Sequence, residues 1–364
     1  MEFNLEVPLG CEVSFGQVSV NILYEMFKRG LNPAIFPIHP NVNLSPFDKL
    51  PKEFHQWLGT NINNRLVKYS RNNPSFRLWH IQSSESSVSK NCNLFTFFEL
   101  NKISEHEKGI LSNQNKVFVS SKYTQQVFKN SGIESIYVPL GFDSLSFSKI
   151  EKRALPENII SWGIFGKYEG MRKRHDKIIK AWVKRFGNDK NHVLHASISN
   201  PFLKPDDFNA LINNCLEGKK YFNINFIPHT PTNSGYNTVL NATDIHIACS
   251  GGEGMDLPFF QNLCLQKHGI CLNAHVYKDY TNKDTVTYVE PSGMIDCIDN
   301  IFFHPNQPFN CGQIFDFKEE DLLNAFDIAL AKYKTNPINK AAEGLKDKYT
   351  WEKTVDGILN SLGS

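Results

Sequence analysis

The amino-acid sequence predicts an α/β protein built from two doubly wound, parallel-sheet domains of Rossmann-like type that face each other across a cleft. Three observations carry this prediction. The 364 residues are too many for one typical core. Short apolar runs alternate with helical patterns throughout. A polar, proline-containing seam at residues 149–158 separates two such alternating blocks.

The first block contains the elements of one doubly wound sheet. Its short apolar runs predict strands over residues 32–39, 76–82, 93–99, 116–121 and 135–141. Residues 19–30 and 121–132 carry apolar side chains at helical spacing and end in glycine, which predicts two helices. Because strands and helices alternate, we expect a parallel sheet with helices on both faces.

The second block restarts with a predicted strand over residues 159–167, which runs into a glycine turn. Further strands are predicted over residues 192–199, 222–228, 244–249, 270–274 and 285–291. Helices are predicted over residues 176–187, 205–218, 257–269, 319–334 and 339–362. We therefore expect an N-terminal domain over 1–152, a C-terminal domain over 153–337 and a closing helical segment over 338–364.

The composition limits the function classes. With 41% hydrophobic and 21% charged residues, the chain is typical of a soluble globular protein, and its net charge of +2 argues against a protein built around a nucleic-acid polyanion. Eight cysteines form no C-x-x-C, so we expect buried reduced thiols in a cytoplasmic protein. We expect no signal peptide and no transmembrane segment, since no apolar run reaches the ~20 residues of a membrane span.

A basic loop follows the first strand of the second block. In GIFGKYEGMRKRHDK, residues 163–177, four cations precede a predicted helix: Lys167, Arg172, Lys173 and Arg174. Cations this close repel each other unless an anionic group lies among them. Arginine grips a phosphate through two N–H groups and lysine acts as a point charge, so a diphosphate site is the favoured interpretation. A solvated basic loop is the alternative.

A second motif is the stretch CSGGEGMDLPFFQ, residues 249–261. Here Glu253 lies on a glycine-rich turn at the carboxyl end of an apolar strand, where ligands bind in such sheets. A carboxylate there can accept hydrogen bonds from sugar hydroxyls, and Gln261 in the next helix could face the same ligand. The alternative is that Glu253 only caps that helix.

Near the N-terminus, Gly10 and Gly16 flank a loop that opens a helix. Because Gly16 has no Cβ, a ligand can come close to the backbone there, and helix-start N–H groups favour anions. A plain turn is the alternative interpretation of this loop.

Other chemistries find no support in the sequence. The patterns H-E-x-x-H, G-x-x-x-x-G-K-[ST], G-x-S-x-G and the EF-hand loop are absent, and no two aspartates are spaced D-x-D. The twelve histidines never occur at metal-ligand spacing. We therefore expect no metal site, so that cationic side chains would stabilise a leaving diphosphate themselves.

At these residues the chain resembles retaining family-4 glycosyltransferases, which have the GT-B architecture. FTFFELNKI (95–103) resembles that family's T-M-F-E-T-x-x-I segment, and residues 117–143 resemble its V-x-V-P-S…V-x-P-x-G-V-D run. FGKYEGMRKRHDKIIKAW is similar to G-R-x-x-x-x-K-G-x-x-x-L-I-x-A, with Lys167 and Lys173 at the usual diphosphate-binding pair. Trp351 matches a tryptophan of the final helix, which in this fold crosses back to the N-terminal domain.

The donor motif itself departs from the family pattern at three positions. EGMDLPFFQ resembles E-G-x-G-L-P-x-x-E, but Gln261 stands where the second glutamate usually contacts the donor. Asp256 replaces a glycine, and Arg174 replaces the glycine after the motif lysine. Gln261 still hydrogen-bonds, so we expect nucleotide binding to survive, with the choice of base and sugar left open.

The resemblance implies transfer of a sugar from a nucleotide-diphosphate sugar to an acceptor, with retention at the anomeric carbon. A UDP-sugar is the first expectation, a GDP- or ADP-sugar the alternative, and no further cofactor is expected. The resemblance implies five catalytic residues: Glu253, Lys173, Lys167, His80 and Glu99. Of these, His80 and Glu99 would either assist the acceptor or be purely structural. The implied donor-binding residues are Gly16, Lys167, Arg172, Lys173, Ile227, His229, Gly251, Glu253, Gly254, Met255, Asp256, Leu257 and Gln261.

The acceptor is expected on the N-terminal domain. A cell-surface glycan or lipopolysaccharide is the default class, and a hydroxymethylated pyrimidine in phage DNA is the alternative. Residues 1–150 hold 15 Lys plus Arg and 12 Asp plus Glu, an excess of +3 that is too small to demand DNA. Two other classes stay open, a non-catalytic nucleotide-sugar sensor and a hydrolase or phosphorylase, although the latter lacks a general-acid carboxylate pair or cofactor lysine.

Overall fold

The computed structural model describes residues 2–40, 42–151 and 155–363. The first sheet has six parallel strands, β1 (Asn4–Val7), β2 (Ala34–Pro37), β3 (Ser75–Leu78), β4 (Cys92–Thr96), β5 (Lys116–Val119) and β6 (Ile136–Tyr137). Its strand order is β2-β1-β3-β4-β5-β6. The helices associated with it are α1 (Ser14–Lys28), α2 (Lys52–Asn63), α3 (Arg65–Lys68), α4 (Glu105–Ser112) and α5 (Lys122–Asn130).

The second sheet also has six parallel strands, β7 (Ile160–Phe165), β8 (His192–Ser197), β9 (Ile224–Phe226), β10 (Ile245–Ala248), β11 (His268–Leu272) and β12 (Thr287–Val289). Its order is β12-β11-β10-β7-β8-β9. Its helices are α6 (His175–Phe186), α7 (Pro205–Cys215), α8 (Asn233–Asn241), α9 (Leu257–Cys264), α10 (Tyr277–Tyr280) and α11 (Glu319–Thr335). A hairpin of β13 (Gly293–Asp296) and β14 (Gln313–Asp316) follows β12.

The last part of the chain returns to the first sheet. A 3₁₀ turn (Lys340–Ala342) and α12 (Leu345–Lys348) lead to α13 (Trp351–Leu362). Helix α13 packs against α1, where Arg29 Nη1 lies 2.6 Å from Asp356 Oδ1. Thr350, which caps α13, forms an isolated β-bridge with Phe142.

Each sheet has its own aromatic core. In the first, the Phe76 ring lies 6.1 Å from Phe95 and 5.9 Å from Phe118. In the second, Trp162 packs 4.9 Å from Phe186 and 5.5 Å from the α11 residue Phe326, with no measurable exposure of Trp162. Burial of each such ring stabilises the folded state by about 1.5–3 kcal/mol. Both sheets therefore support the loops at their ends rigidly.

The topology fixes where a ligand can bind. In each sheet the order reverses beside one strand: β1 lies between β2 and β3, and β7 lies between β8 and β10. The chain therefore winds away in both directions, and a crevice opens at the carboxyl ends of these strands. Residues 8–13 follow β1, residues 166–174 follow β7, and residues 249–256 follow β10. The two sequence motifs thus flank one switch point.

The predicted fold class, two doubly wound parallel-sheet domains, is confirmed, but several elements differ. β1 was not predicted, because Asn4 and Glu6 interrupt its apolar pattern. Both are buried and have polar partners: the Asn4 Nδ2 group donates to the Ser70 carbonyl and the Ser89 hydroxyl, and Glu6 pairs with Arg77.

Two helix predictions are wrong in their extent. The helix predicted over 339–362 is broken into three pieces, since Gly344 adopts φ = 79° before α12. The helix predicted over 257–269 ends at Cys264, and His268 and Gly269 already belong to β11. The domain boundary predicted between residues 152 and 153 lies outside the described residues.

All eight cysteines lie in the described part of the chain and are free thiols. Across the described residues, no helix combines the length and the apolar character that crossing a bilayer requires.

Candidate functional site

A cavity of about 620 Å³ lies between the carboxyl ends of the two sheets. Its walls come from both halves of the chain, from the loop after β1 and the end of β4 on one side and from the loops after β7, β8 and β10 on the other. Eleven of the residues singled out from the sequence line it, namely Glu99, Lys167, Arg172, Lys173, His229, Glu253, Gly254, Met255, Asp256, Leu257 and Gln261.

Glu253 is the centre of a buried ion cluster in this cavity. Its Oε1 lies 2.6 Å from Lys173 Nζ, and its Oε2 lies 3.0 Å from Arg172 Nη1. Arg172 Nη1 also donates to the Gly252 carbonyl at 2.8 Å, which ties the basic loop to the glycine-rich turn. The two motifs found in the sequence are therefore one structural unit.

A second carboxylate, Glu169, completes the cluster and was not singled out from the sequence. Lys167 Nζ lies 2.9 Å from Glu169 Oε1, and Arg172 Nε lies 2.8 Å from Glu169 Oε2. The protein thus supplies part of the negative charge that the close cations require. The sequence feature that could have indicated its role is its spacing: Glu169 lies two residues after Lys167 and three residues before Arg172.

The charges of the cluster do not cancel. Three cations share two carboxylates, so one positive charge is left over among these five side chains. The side chain of Lys167 is the most accessible of the three cations, at 26% exposure against 9% for Arg172 and 12% for Lys173. Its ammonium group also lies 3.9 Å from the centre of the Phe302 ring, a favourable cation–π distance.

The fourth predicted cation is not part of this cluster. Arg174 pairs with Asp316 at 3.0 Å, and Lys177 pairs with the same carboxylate at 3.0 Å. Arg174 precedes α6 with φ = 58° and ψ = 25°, the left-handed conformation that favours glycine. Arg174 thus keeps the left-handed backbone conformation expected for the glycine that the family has at this position. Its larger side chain is held by the ion pair with Asp316.

Asp256 shows the same behaviour at the other replaced glycine. It adopts φ = 58°, and its carboxylate accepts hydrogen bonds from the Phe259 amide at 3.4 Å and from the Tyr277 hydroxyl at 2.7 Å. Asp256 is therefore the N-cap of α9. Glu253 does not cap that helix, so the alternative interpretation of Glu253 is wrong.

The glycines of the turn bring the two halves of the molecule together. A Cβ on Gly252 would lie 2.2 Å from the Glu99 carbonyl oxygen, and one on Gly254 would lie 2.8 Å from Phe97 Cβ. Gly251 lies on the other side of the turn, where its amide donates to the Arg172 carbonyl at 2.8 Å. Glycine fits these contacts, because an added Cβ would collide with the Glu99 backbone at Gly252, the Phe315 backbone at Gly251 and the Phe97 side chain at Gly254.

We expect Gly252→Ala to open the contact between the two sheets and to lower the melting temperature, because the new methyl group meets main-chain atoms that cannot rotate away. Small-angle scattering and thermal unfolding measure both effects. Gly109→Ala is the matched control: it lies in α4 with no atom within 4 Å of the added Cβ, so it should be neutral or stabilising. Equal behaviour of the two variants would contradict this account.

Gly16 serves the local packing of the β1–α1 loop. A Cβ there would lie 2.0 Å from the Gly10 carbonyl oxygen, so glycine lets the loop fold back on its own helix. Its neighbours Phe15 and Gln17 line the cavity. Gln17 Oε1 accepts a hydrogen bond from Asn233 Nδ2 at 3.0 Å, which joins the two halves across the opening.

The residues proposed for a base lie at the far edge of the cavity. His229 is exposed and lines it, whereas Ile227 is half-buried and donates its amide to the Ala196 carbonyl at 2.9 Å. Gln261 is 8% exposed and lines the cavity from α9. Ser199 and Asn200, which follow β8, also line this region and had no sequence signal beyond their place after a strand.

Glu99 lines the opposite wall, whereas His80 packs against the lining residue Phe15 and does not itself line the cavity. The His80 ring packs 4.4 Å from the Phe15 ring, and burial, aided by Lys167, lowers the pKa of His80 to about 4. Burial raises the pKa of the Glu99 carboxyl, against the opposing effect of Arg172. His80 is thus a neutral imidazole at neutral pH.

The pKa values of the two cluster carboxylates, Glu169 and Glu253, are shifted in the opposite direction to that of Glu99. Burial by itself would raise the pKa of Glu169, but Arg172, Lys167 and Lys173 lower it from 4.5 to about 2. Burial would likewise raise the pKa of Glu253, yet Arg172 and Lys173 hold it well below its ordinary value. Both groups are therefore ionised throughout the neutral range.

This shift predicts a specific acid sensitivity. Because the folded pKa of Glu169 is depressed, its contribution to stability is complete above pH 4.5 and is lost as the pH falls towards 2. Glu169→Gln should be less stable than wild type at pH 7, and the gap should close as the pH approaches 2. Urea midpoints measured at pH 7, 4 and 3 test this, with the exposed Glu352→Gln as control. A gap that does not change with pH would contradict it.

Within the residues that the structure describes, no group of three or more His, Cys, Asp or Glu side chains is placed to hold a metal ion. Metal independence of the chemistry remains a prediction.

Neither a family model nor a curated protein matches this chain. Several solved structures match it over nearly their whole length. Sucrose-phosphate synthase from Thermosynechococcus elongatus is 12% identical over 99% of this chain and 98% of its own, with a TM-score of 0.68. The lipopolysaccharide-biosynthesis glycosyltransferase WaaG is 12% identical over 98% and 99%, with a TM-score of 0.62.

A third similar structure is Anabaena HepE in complex with UDP and glucose, which is 10% identical over 100% of this chain and 99% of its own, with a TM-score of 0.61. These likenesses confirm the predicted GT-B fold. At such identities they concern the fold alone, and the roles of the site residues remain predictions.

Proposed function

We propose that this chain is a retaining glycosyltransferase that moves a sugar from a nucleotide-diphosphate sugar to an acceptor. The observation that carries the proposal is the cluster of Lys167, Arg172, Lys173 and Glu253 in one cavity between two facing sheets. The GT-B fold supports it, as does the UDP bound in a structure of the same fold.

The diphosphate is assigned to Lys167 and Lys173. Lys167 is the accessible cation, and a phosphate oxygen can replace the Glu169 carboxylate as its partner. As the bond to the sugar breaks, negative charge grows on the diphosphate, and pre-placed ammonium groups stabilise it. Arg172, held between two carboxylates, sets the geometry and adds to the positive potential.

The sugar is assigned to Glu253 and Gln261. The Glu253 oxygens have lone pairs beyond those used by Lys173 and Arg172, so they can accept hydrogen bonds from sugar hydroxyls. Gln261 can bond to the sugar or the ribose. The backbone at residues 254–257, which leads into α9, lies close enough to offer N–H groups to an anionic donor.

The remaining roles follow the walls of the cavity. His229 and the neighbouring Ile227 are assigned to the base, and the backbone near Gly16 to the phosphate or sugar. Glu99 and neutral His80 lie on the first-sheet side, where an acceptor would enter. With no nucleophile assigned, attack occurs on the face from which the diphosphate leaves. An acceptor in a cell-surface glycan or lipopolysaccharide fits this arrangement.

A donor screen tests the proposal. Thermal unfolding is measured with UDP-, GDP-, ADP- and CMP-sugars, and the largest stabilisation is expected with a UDP-sugar because bound ligand stabilises the folded state. Slow donor hydrolysis is then followed with and without EDTA, and activity should persist with EDTA. Binding without hydrolysis or transfer would favour a nucleotide-sugar sensor, and no stabilisation by any of the donors would contradict the proposal.

A further inference from the structure

The first-sheet side of the cavity has an unusual charge. Among the described residues that line it from this side, Glu12 and Glu99 are carboxylates, and none is a lysine or an arginine. All three lining cations, Lys167, Arg172 and Lys173, come from the second half of the chain. The first-sheet side therefore presents carboxylates without cations, whereas the second-sheet side presents its cations together with Glu169, Glu253 and Asp256.

A continuous group of aromatic rings begins on the same side, where Phe15 and Phe97 line the cavity, and extends beyond its lining through Trp79 and His39. The Phe15 ring lies 4.7 Å from Phe97 and 5.6 Å from Trp79, and the exposed His39 ring lies 5.0 Å from Trp79. Phe15 follows β1, His39 follows β2, Trp79 follows β3 and Phe97 follows β4. The rings thus follow the carboxyl-end rim of the first sheet, and Trp79 and Phe97 are only half-buried.

We define the acceptor wall as these rings together with the two carboxylates: Glu12, Phe15, His39, Trp79, Phe97 and Glu99. A sugar ring has apolar C–H faces, which pack on aromatic faces, and hydroxyls at its edge, which donate to carboxylates. A polyanion would meet two carboxylates and no cation on this wall. The surface is chemically complementary to a neutral carbohydrate.

From this complementarity we infer that the acceptor is an uncharged saccharide, stacked on the acceptor wall and hydrogen-bonded to its carboxylates. The inference rests on the proposed function, which places the acceptor opposite the donor diphosphate. It selects a glycan over the alternative acceptor, a base in DNA, whose phosphates would lie against Glu12 and Glu99. The +3 excess of residues 1–150 lies elsewhere on the first domain.

The test begins with the full chain, saturated with UDP, on an array of neutral and acidic oligosaccharides and on a 16-base-pair duplex DNA. The expected ligands are neutral oligosaccharides, with affinity that changes little with salt. Binding of acidic oligosaccharides alone, DNA binding that falls steeply with salt, or no oligosaccharide binding would each overturn the inference.

The bound oligosaccharide is then titrated against variants by calorimetry. Trp79→Ala should weaken it at least about fivefold, the loss of one aromatic contact, and Trp79→Phe should retain most of the affinity. Trp57→Phe changes an indole in α2 that packs against Phe27 and Phe54 and not against the acceptor wall, so it should behave as wild type. Glu12→Lys, at an exposed position, should weaken the neutral ligand and introduce binding of acidic ones. Wild-type affinity in Trp79→Ala would overturn the inference.

A measurement of donor binding and hydrolysis on wild type distinguishes failure of the proposed function from failure of the acceptor inference. If wild type hydrolyses a UDP-sugar but saccharide binding ignores Trp79 and Glu12, the proposed function stands and this inference fails. If no nucleotide-sugar binds while the saccharide does, the acceptor wall is a carbohydrate site and the proposed function fails.

Discussion

Lys173→Ala is expected to weaken donor binding by about 1.5–3 kcal/mol, the value of a hydrogen bond to a charged group. The Lys173 side chain is 12% exposed and lies 2.6 Å from Glu253, so the variant loses a phosphate partner and also leaves that carboxylate with Arg172 as its close cationic partner. Removing one member of a buried ion pair costs about 3–5 kcal/mol of stability. The variant should therefore melt at a lower temperature and show a smaller shift on adding UDP-sugar.

Two further variants make this result interpretable. Lys184→Ala removes a lysine from the helix that follows this loop, α6, at a side chain that is 61% exposed, so it should leave donor affinity unchanged. Lys173→Gln is shorter and uncharged but keeps a hydrogen-bonding side chain, so it should retain the fold while weakening donor binding. Wild-type donor affinity in Lys173→Gln would refute the assignment of the diphosphate to this lysine.

Glu253→Gln is expected to lower the rate of sugar transfer by about 100-fold, the cost of a misplaced reacting group. The binding of UDP alone should persist or become tighter, because the change removes a negative charge beside Lys173 and Arg172. The variant should therefore affect sugar transfer without weakening diphosphate binding. This difference follows from the position of Glu253 between the cations and the glycine-rich turn.

The measurement is a comparison of UDP affinity, by calorimetry, with the turnover of the best UDP-sugar. Glu290→Gln is the matched control, an exposed glutamate after β12 that accepts hydrogen bonds from Asn273. It should change neither quantity. An equal loss of UDP affinity and turnover in Glu253→Gln would mean that this carboxylate supports the fold of the site rather than the position of the sugar.

The sequence predicted the fold class because most strands are short apolar runs between helical patterns. It failed where polar residues are satisfied by distant partners. Glu6 in β1 pairs with Arg77 in β3, and Asn4 in the same strand donates to Ser89. These partners are 71 and 85 residues away, so no local pattern shows that the strand is buried. The hairpin β13–β14 was also missed, since only two of its eight residues, Ile295 and Ile314, are buried or half-buried aliphatics.

The sequence predicted many of the residues that line the cavity, but not the contacts among them. Lys167, Lys173 and Glu253 follow predicted strands in the sequence. Because ligands bind at the carboxyl ends of such strands, these residues were assigned to a binding site. That Glu169 would share these cations depends on the path of the loop, which spacing does not determine. Nor could the pattern distinguish Arg172, held between two carboxylates, from Arg174, which pairs with Asp316.

The most direct test of the central claim is a crystal structure with a bound, non-hydrolysable UDP-sugar. The account predicts the diphosphate oxygens within hydrogen-bond distance of Lys167 and Lys173 and the sugar hydroxyls on Glu253. A structure in which both ammonium groups keep only their carboxylate partners, with the nucleotide bound elsewhere, would contradict it.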